Sequence, residues 1–213
     1  MGYYKLSFLD RVVEEFDAYA QFTRAPLNPT RKSPSQGVIE GEFDSNKKKH
    51  IAGLMRVDYT GEICAQGLYR GQASVAKSAK TRAHLYHAAD EEYDHLAWCA
   101  ERLKELDAKP SLLNPFWYWA SFGIGVTVGS ISDRLSYSFV VETEKQVMKH
   151  LDAHLKDLPD NDNRSREILT QMRIDEEEHA KEAEKAGGKK LPAPIKAIMR
   201  LQSKVMTSIS YRF

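Results

Sequence analysis

Apolar residues recur every three or four positions over most of the chain, which predicts helices that each bury one face. Four long stretches have this period, at residues 46–78, 81–107, 133–158 and 162–186. In the second stretch, one stripe contains Leu85, Ala89, Glu92, Leu96, Cys99 and Leu103. A glutamate therefore interrupts an otherwise apolar face. The pattern predicts an all-α fold built on four core helices.

Two other core helices carry a glutamate in the same kind of position. In the first, Glu62 shares a face with Ile51, Met55, Asp58, Ala65, Tyr69 and Ala73. In the last, Glu176 shares a face with Leu169, Met172, Ala180 and Ala183. A carboxylate within a buried stripe is unfavourable unless it is paired with a cation or bound to a metal. These glutamates are therefore candidate metal ligands.

The third core helix offers two glutamates for the inward position. Its apolar line, which consists of Val140, Val147, Leu151, Leu155 and Leu158, lies nearer to Glu144 than to Glu142. Periodicity alone favours Glu144 as the inward carboxylate. A helix that packs on two sides could still direct Glu142 to a metal, so both residues stay candidates at this point.

Two Glu-x-x-His pairs, Glu92 with His95 and Glu176 with His179, are the only ones in the chain. Their spacing places both side chains of a pair on one side of a helix. Two glutamates and two Glu-x-x-His pairs from four antiparallel helices form the ligand set of di-iron and di-manganese carboxylate bundles. Oxygen-rich ligands with only two imidazoles favour iron or manganese over zinc.

Other titratable residues of the core helices are predicted to lie near the metal ligands or on the surface, without binding the metal. Asp58, Glu91 and Asp175 are expected to orient the ligating histidines through hydrogen bonds. Four further histidines have no matching carboxylate arrangement and are interpreted as surface residues or residues behind the ligands: His84, His87, His150 and His154.

The segment 110–132 carries no charged residue and is long enough for a membrane span. A single crossing would separate the two halves of the metal site, so the segment is interpreted as the crossover between the second and third core helices. It would dip into one leaflet, with Trp117, Tyr118 and Trp119 near the headgroups. A buried core helix and a dimer contact are the alternatives.

Both ends of the chain add to this core. Residues 7–22 predict a short amphipathic helix with Leu9, Val12, Val13, Phe16, Tyr19 and Ala20 near helical spacing. Residues 23–46 contain Pro26, Pro29, Pro34, Gly37 and Gly41, which predicts an extended arm. No function is expected in this arm.

At the C-terminal end, residues 193–213 are predicted to form a basic amphipathic helix suited to an anionic membrane surface. Its apolar face holds Ile195, Ile198, Met199, Met206, Ile209 and Phe213, opposite Lys196, Arg200 and Lys204.

Composition narrows the classes of function. The 213 residues suit one domain, and a net charge of +1 argues against nucleic-acid binding as the main role. Cys64 and Cys99 show no disulfide or zinc pattern, so reduced thiols are expected. The acidic N-terminal stretch does not fit a signal or transit peptide, which favours an intracellular bacterial protein.

Several motifs together resemble the demethoxyubiquinone hydroxylase family from about residue 50 to the C-terminus. They are Arg56-Val57-Asp58-x-x-Gly61-Glu62-x-x-Ala65-x-x-x-Tyr69-x-Gly71-Gln72, Glu91-Glu92-x-x-His95, Val141-Glu142 and Asp175-Glu176-Glu177-x-His179. The resemblance implies a ferritin-like di-iron monooxygenase whose iron ligands and catalytic residues are Glu62, Glu92, His95, Glu142, Glu176 and His179. The Val-Glu match selects Glu142 over Glu144.

The resemblance also implies the reaction and its partners. Two Fe ions per chain and O₂ would hydroxylate a polyprenylated demethoxyubiquinol, giving 5-demethylubiquinol in ubiquinone biosynthesis. The chain has no dinucleotide-binding fingerprint, so an external reductant is needed, and NADH is one candidate. The expected location is peripheral, on the cytoplasmic face of the bacterial cell membrane. Homo-oligomerisation and contacts with other ubiquinone-biosynthesis proteins stay open, and no nucleic acid is expected.

The expected fold is a ferritin-like four-helix bundle with a hydrophobic crossover helix and a C-terminal amphipathic helix. Residues 1–45 would form the N-terminal helix and arm, and residues 46–213 the di-iron domain. The alternative function is iron handling or ferroxidase activity without an organic substrate. A membrane-bound quinone carrier with a structural metal is a third hypothesis, but it does not explain a set of six ligands.

Overall fold

A computed structural model describes residues 8–23 and 27–213, and all regular secondary structure in these ranges is α-helical. The helices are α1 Phe8–Thr23, α2 Ser45–Val75, α3 Ala79–Glu105, α4 Asn114–Ile131, α5 Asp133–Asp157, α6 Asn163–Lys185 and α7 Ala193–Ser210. The all-α prediction is therefore confirmed. The side chains of Leu9 and Val12, and all of Pro26, lie outside the described residues.

Local capping explains where the core helices begin. The side chain of Asp44 accepts hydrogen bonds from the backbone at the start of α2, and Ser78, Ser132 and Asp162 do the same for α3, α5 and α6. A proline occupies the first turn of α4 and of α7. The arm is free of helix and strand over residues 27–44, as its prolines and glycines predict.

Helices α2, α3, α5 and α6 form the bundle, in which α2 packs against α3 and α5 packs against α6. The predicted apolar stripes face inward. Leu85, Leu96 and Leu103 of α3 are fully buried, as are Leu169 and Met172 of α6. Cys64 and Cys99 are free thiols, as expected. This arrangement is consistent with a ferritin-like bundle.

The crossover helix α4 lies close to α2 because glycines form the contact. At Gly125 of α4 a Cβ atom would collide with the carbonyl oxygen of Leu68, and at Gly67 of α2 it would collide with that of Tyr118. The opposite side of α4 leaves Phe116 and Ile131 exposed. The segment thus combines a buried face with an exposed apolar face. No helix in the described ranges is long and apolar enough to cross a membrane.

Helix α7 packs on α2 and α5. Only part of the apolar face predicted for this helix is buried in that contact. Met206 is buried and Met199 is half-buried, whereas Ile198 and Phe213 are exposed. The backbone carbonyl of Tyr211 accepts a hydrogen bond from Arg56, which ties the end of the chain to α2. One side of α7 therefore covers the bundle, and its remaining apolar residues face outward.

Candidate metal centre

The two Glu-x-x-His pairs face each other across the bundle, Glu92 and His95 from α3 and Glu176 and His179 from α6. Nδ1 of His95 lies 2.7 Å from Oε2 of Glu92 and 3.4 Å from Oε1 of Glu176. Nδ1 of His179 lies 2.9 Å from Oε1 of Glu92 and 3.4 Å from Oε2 of Glu176. Glu62 of α2 completes one side, with its Oε2 3.8 Å from Nδ1 of His95. Five of the six predicted ligands are thus brought together.

The side chains form two groups that could each hold a metal ion. The first group is Glu62, Glu92, His95 and Glu176, and the second is Glu92, Glu144, Glu176 and His179. Within each group the ligand atoms lie within 4.8 Å of one another. Glu92 and Glu176 belong to both groups, so each could help to hold both ions. The four carboxylates of the two groups can balance the charge of two divalent ions.

The structure places Glu144, rather than Glu142, in this centre. Glu144 is 1% exposed and accepts a hydrogen bond from the hydroxyl of Tyr69 on α2. Glu142 is half-buried, and its Oε1 accepts a hydrogen bond from Gln146 at 2.9 Å, outside either group. The choice of Glu142 is therefore corrected in favour of the residue that periodicity indicated. The line of apolar residues decides which side of α5 turns inward.

The donor atoms of the centre fit a metal because they are buried and lack other partners. Both carboxylate oxygens of Glu92, Oε2 of Glu176 and Nδ1 of both histidines have no hydrogen-bond partner in the described structure. Buried polar atoms without partners are rare in proteins and call for an explanation. Here the same atoms point toward one another, so a pair of cations would satisfy all of them.

Without cations, the electrostatics of the cluster favour bound protons on several of its groups. Burial alone would lower the pKa of His95, but the carboxylate of Glu92 and its neighbours raise it well above the usual range, and the same causes raise the pKa of His179. Burial raises the pKa of Glu62 and of Glu144, and nearby carboxylates add to the shift. Metal binding must therefore displace protons from this cluster.

The outer ring nitrogen of each histidine is held by a carboxylate. Nε2 of His95 lies 2.9 Å from Oδ2 of Asp175, and Nε2 of His179 lies 3.3 Å from Oε2 of Glu91. Such contacts fix the tautomer and the orientation of a ligating imidazole. The predicted roles of Asp175 and Glu91 match this geometry. The role predicted for Asp58 does not, because Asp58 contacts His154 of α5 instead.

The arm reaches the centre, although no function was expected of it. Arg31 places Nη2 2.8 Å from Oδ2 of Asp175 and 3.4 Å from Nε2 of His95. Buried Asp94 anchors the arm by accepting hydrogen bonds from the backbone and side chains of Thr30 and Arg31. The periodicity of the arm could not reveal this contact, because its partners lie more than 60 residues away in the sequence.

A cavity adjoins the Glu62 side of the centre, between α2, α4, α5 and α7. Most of its lining is apolar, including Val57, Leu68, Trp117, Ile124, Phe139, Val147, Leu151, Met199 and Met206. Its polar lining includes Asp58, Glu62, Gln146 and His150. An apolar pocket with a few convergent polar groups is the usual form of a small-molecule site.

The four-helix bundle and its two overlapping ligand groups define a class of protein, the helical bundles with a carboxylate-rich candidate two-metal centre. Within that class the family is clear. A family model described as ubiquinone biosynthesis protein COQ7 matches residues 49–210, and the chain belongs to this family. The resemblance based on the sequence motifs is thereby confirmed.

Bacterial relatives are similar over nearly the whole chain. The chain is 80% identical over 209 residues to a 3-demethoxyubiquinol 3-hydroxylase of Francisella philomiragia subsp. philomiragia, covering 98% of this chain and 99% of the relative. It is 78% identical, with the same coverage, to the protein of that name in Francisella tularensis subsp. novicida. The arm lies before the segment that the family model matches but within the similarity to these relatives. The division at residue 45 stays a prediction.

Proposed function

We propose that the protein is a 3-demethoxyubiquinol 3-hydroxylase that uses two iron ions and O₂ to hydroxylate a polyprenylated quinol. The observation that carries this proposal is the pair of buried ligand groups that share Glu92 and Glu176 and adjoin an apolar cavity at Glu62. When bound, the irons would supply oxygen activation, which protein side chains cannot provide. The names of the relatives supply the substrate class.

The residues of the chain have separate tasks in this proposal. Glu62, Glu92, His95, Glu144, Glu176 and His179 would hold the metals. Asp175 and Glu91 would keep the two imidazoles in the ligating tautomer, with Arg31 fixing Asp175. The apolar cavity wall would exclude water and place the quinol ring beside Glu62. The reductant is external, and NADH is the candidate to test first.

The proposed location is the surface of the cell membrane. Helices α4 and α7 both line the cavity, and both carry exposed apolar side chains. These are Phe116, Ile131, Ile198, Leu201 and Val205, together with Leu112 and Leu113 just before α4. Lys196, Arg200 and Lys204 on α7 add positive charge, which favours anionic lipid. A polyprenyl tail could then remain in lipid while the ring enters the cavity.

The activity is tested with iron-loaded protein, a short-tailed demethoxyubiquinol, NADH and isotope-labelled O₂. We expect a quinol product that carries one labelled oxygen, detected by mass spectrometry, and no product from Glu176→Gln. Iron oxidation with an unchanged quinol in the wild-type protein would favour the iron-handling alternative instead. Zinc as the only metal that binds would contradict both functions.

Membrane binding is tested by flotation with vesicles. We expect the protein to float with anionic vesicles and less with zwitterionic ones, because of the basic residues of α7. The variant Ile198→Glu/Leu201→Glu should lose flotation. Ile174→Glu, which alters an exposed apolar residue on α6, is the matched control and should bind normally. Equal flotation of both variants would contradict the proposed surface.

A further inference from the structure

A second polar cluster lies at the cavity wall, outside the metal centre. It consists of Asp58 of α2 with His150 and His154 of α5. Nδ1 of His154 lies 2.8 Å from Oδ1 and 3.1 Å from Oδ2 of Asp58. The rings of His150 and His154 lie with their centroids 3.9 Å apart. Asp58 and His150 line the cavity together with Glu62, whereas His154 is not part of the lining.

Two atoms of this cluster remain available to a ligand. Nε2 of His150 is buried and makes no hydrogen bond in the described structure. It lies 3.7 Å from Oδ1 of Asp58, which is paired with His154 but has a second lone pair that can accept a hydrogen bond from a ligand. That distance is too long for a direct hydrogen bond, but one oxygen atom can lie within hydrogen-bond distance of both. A buried imidazole nitrogen without a partner is unfavourable, so Nε2 of His150 is the atom that a ligand would satisfy first.

The charges of the cluster indicate which chemical group would satisfy both atoms. Burial and the neighbouring His154 lower the pKa of His150 to about 4, so its imidazole is neutral at physiological pH. Although burial opposes it, the carboxylate of Asp58 raises the pKa of His154, which favours an ion pair between them. Oδ1 of Asp58 can then only accept a hydrogen bond, and Nε2 of His150 is left to donate or accept one.

We propose that Asp58 and His150 form the binding site for one hydroxyl group of the quinol, and that His154 holds Asp58 in position. A hydroxyl can donate to Oδ1 of Asp58 and accept from Nε2 of His150 at the same time. The carbonyl of an oxidised quinone has no proton to donate, so its lone pairs would face the negative charge of Asp58 without a hydrogen bond. The site therefore selects the reduced ring over the oxidised ring.

The inference rests on the proposed function for the identity of the ligand. It adds a recognition step that the metal ligands do not provide, since Asp58 precedes Glu62 by one helical turn and the same cavity contains both side chains. A ring held by this hydroxyl would lie between the cluster and the metal centre.

The test compares the affinity of the iron-loaded protein for a short-tailed demethoxyubiquinol, measured without O₂, with its affinity for the corresponding quinone. The variants are Asp58→Asn and His150→Phe, with Lys149→Gln as an exposed control on the same helix. We expect wild-type protein to bind the quinol at least about tenfold more tightly than the quinone, as for a hydrogen bond to a charged group. Asp58→Asn should bring this ratio close to one, with unchanged iron content and quinone affinity. His150→Phe should weaken the binding of both ligands, because Nε2 of His150 can donate to a hydroxyl or to a carbonyl.

Three outcomes would overturn the proposal. They are equal affinity of wild-type protein for quinol and quinone, an equal loss of affinity for both ligands in Asp58→Asn, and a third metal ion that the wild type binds and the variants lose. The hydroxylation assay separates this inference from the function itself. Product formation without quinol preference would reject only the hydroxyl site, whereas quinol preference without product would reject only the proposed reaction.

Discussion

We expect Glu144→Gln to weaken metal binding strongly and Glu142→Gln to leave it almost unchanged. The two residues lie on the same helix, but only Glu144 is buried within a ligand group. Glutamine has nearly the shape of glutamate, so the hydroxyl of Tyr69 can still donate to its amide oxygen. What the substitution removes is the negative charge that a cation requires.

The expected loss of metal affinity in Glu144→Gln follows from the position of Glu144 within a ligand group. Loss of a residue that merely orients a ligand costs about 10–100-fold in metal affinity, so loss of a ligand should cost at least about 100-fold. At a fixed metal concentration well above Kd, that change lowers the metal-dependent stabilisation by about 2.7 kcal/mol. For a chain of this length, Tm should fall by about 5–10 °C.

The metal-free proteins provide an internal control. Burial raises the pKa of Glu144 in the folded protein, so the carboxylate opposes folding when no cation is present. Metal-free Glu144→Gln should therefore melt at the same temperature as the wild-type protein or at a higher one. Replacement of half-buried Glu142 should change the free energy of unfolding by no more than about 0.5 kcal/mol.

The assay combines a chelator competition with Mn²⁺ and thermal denaturation with and without that ion. Mn²⁺ avoids oxidation during the measurement and accepts oxygen-rich ligands. If Glu144→Gln kept wild-type affinity for two ions, or if Glu142→Gln lost as much affinity, the position of α5 in this centre would be wrong.

Three further predictions concern protons, the arm and the crossover helix. Apparent affinity for Mn²⁺ should rise with pH in calorimetric titrations, because the carboxylates raise the pKa of His95 and the cation must displace the bound protons. Arg31→Gln should lower that affinity about tenfold in the chelator competition, whereas exposed Lys32→Gln should not. In urea denaturation, Gly125→Ala should lower the free energy of unfolding by about 1–3 kcal/mol, since the new methyl group would collide with α2. Gly123→Ala, which meets no atom within 4 Å, should raise it by up to about 1 kcal/mol.

Each of these predictions has a contradicting result. Affinity that does not depend on pH would mean that the histidines carry no proton before metal binds. If Arg31→Gln and Lys32→Gln changed the affinity for Mn²⁺ equally, the effect would come from the loss of a positive charge and not from the contact of Arg31 with Asp175. Equal stability of the two alanine variants would mean that α4 does not lie against the glycines of α2.

Much of the helical framework could be predicted from local sequence. Proline, glycine and capping residues set the ends of the helices, and the apolar period sets which face is buried. Glu92 with His95 and Glu176 with His179 could be paired from their spacing, because side chains three residues apart share a helix face. The structure brings these residues together with Glu62, while their binding of iron stays a prediction.

Contacts between distant segments could not be predicted in this way. The inward position of Glu144 agrees with the apolar period of α5, whereas the Val-Glu motif indicated Glu142. Only the packing of α5 in the bundle shows which of the two glutamates faces the centre. The contact of Arg31 with Asp175 joins an irregular arm to α6. The contact of Asp58 with His154 depends on how α2 and α5 are rotated.

The sequence by itself determined the helices, their buried faces and the chemistry that they carry. Only the tertiary structure decided which carboxylate completes the centre, what holds its histidines and which polar groups line the cavity. The physical reason is that side-chain direction along one helix follows from a fixed local geometry, whereas the rotation and spacing of packed helices depend on all their contacts together.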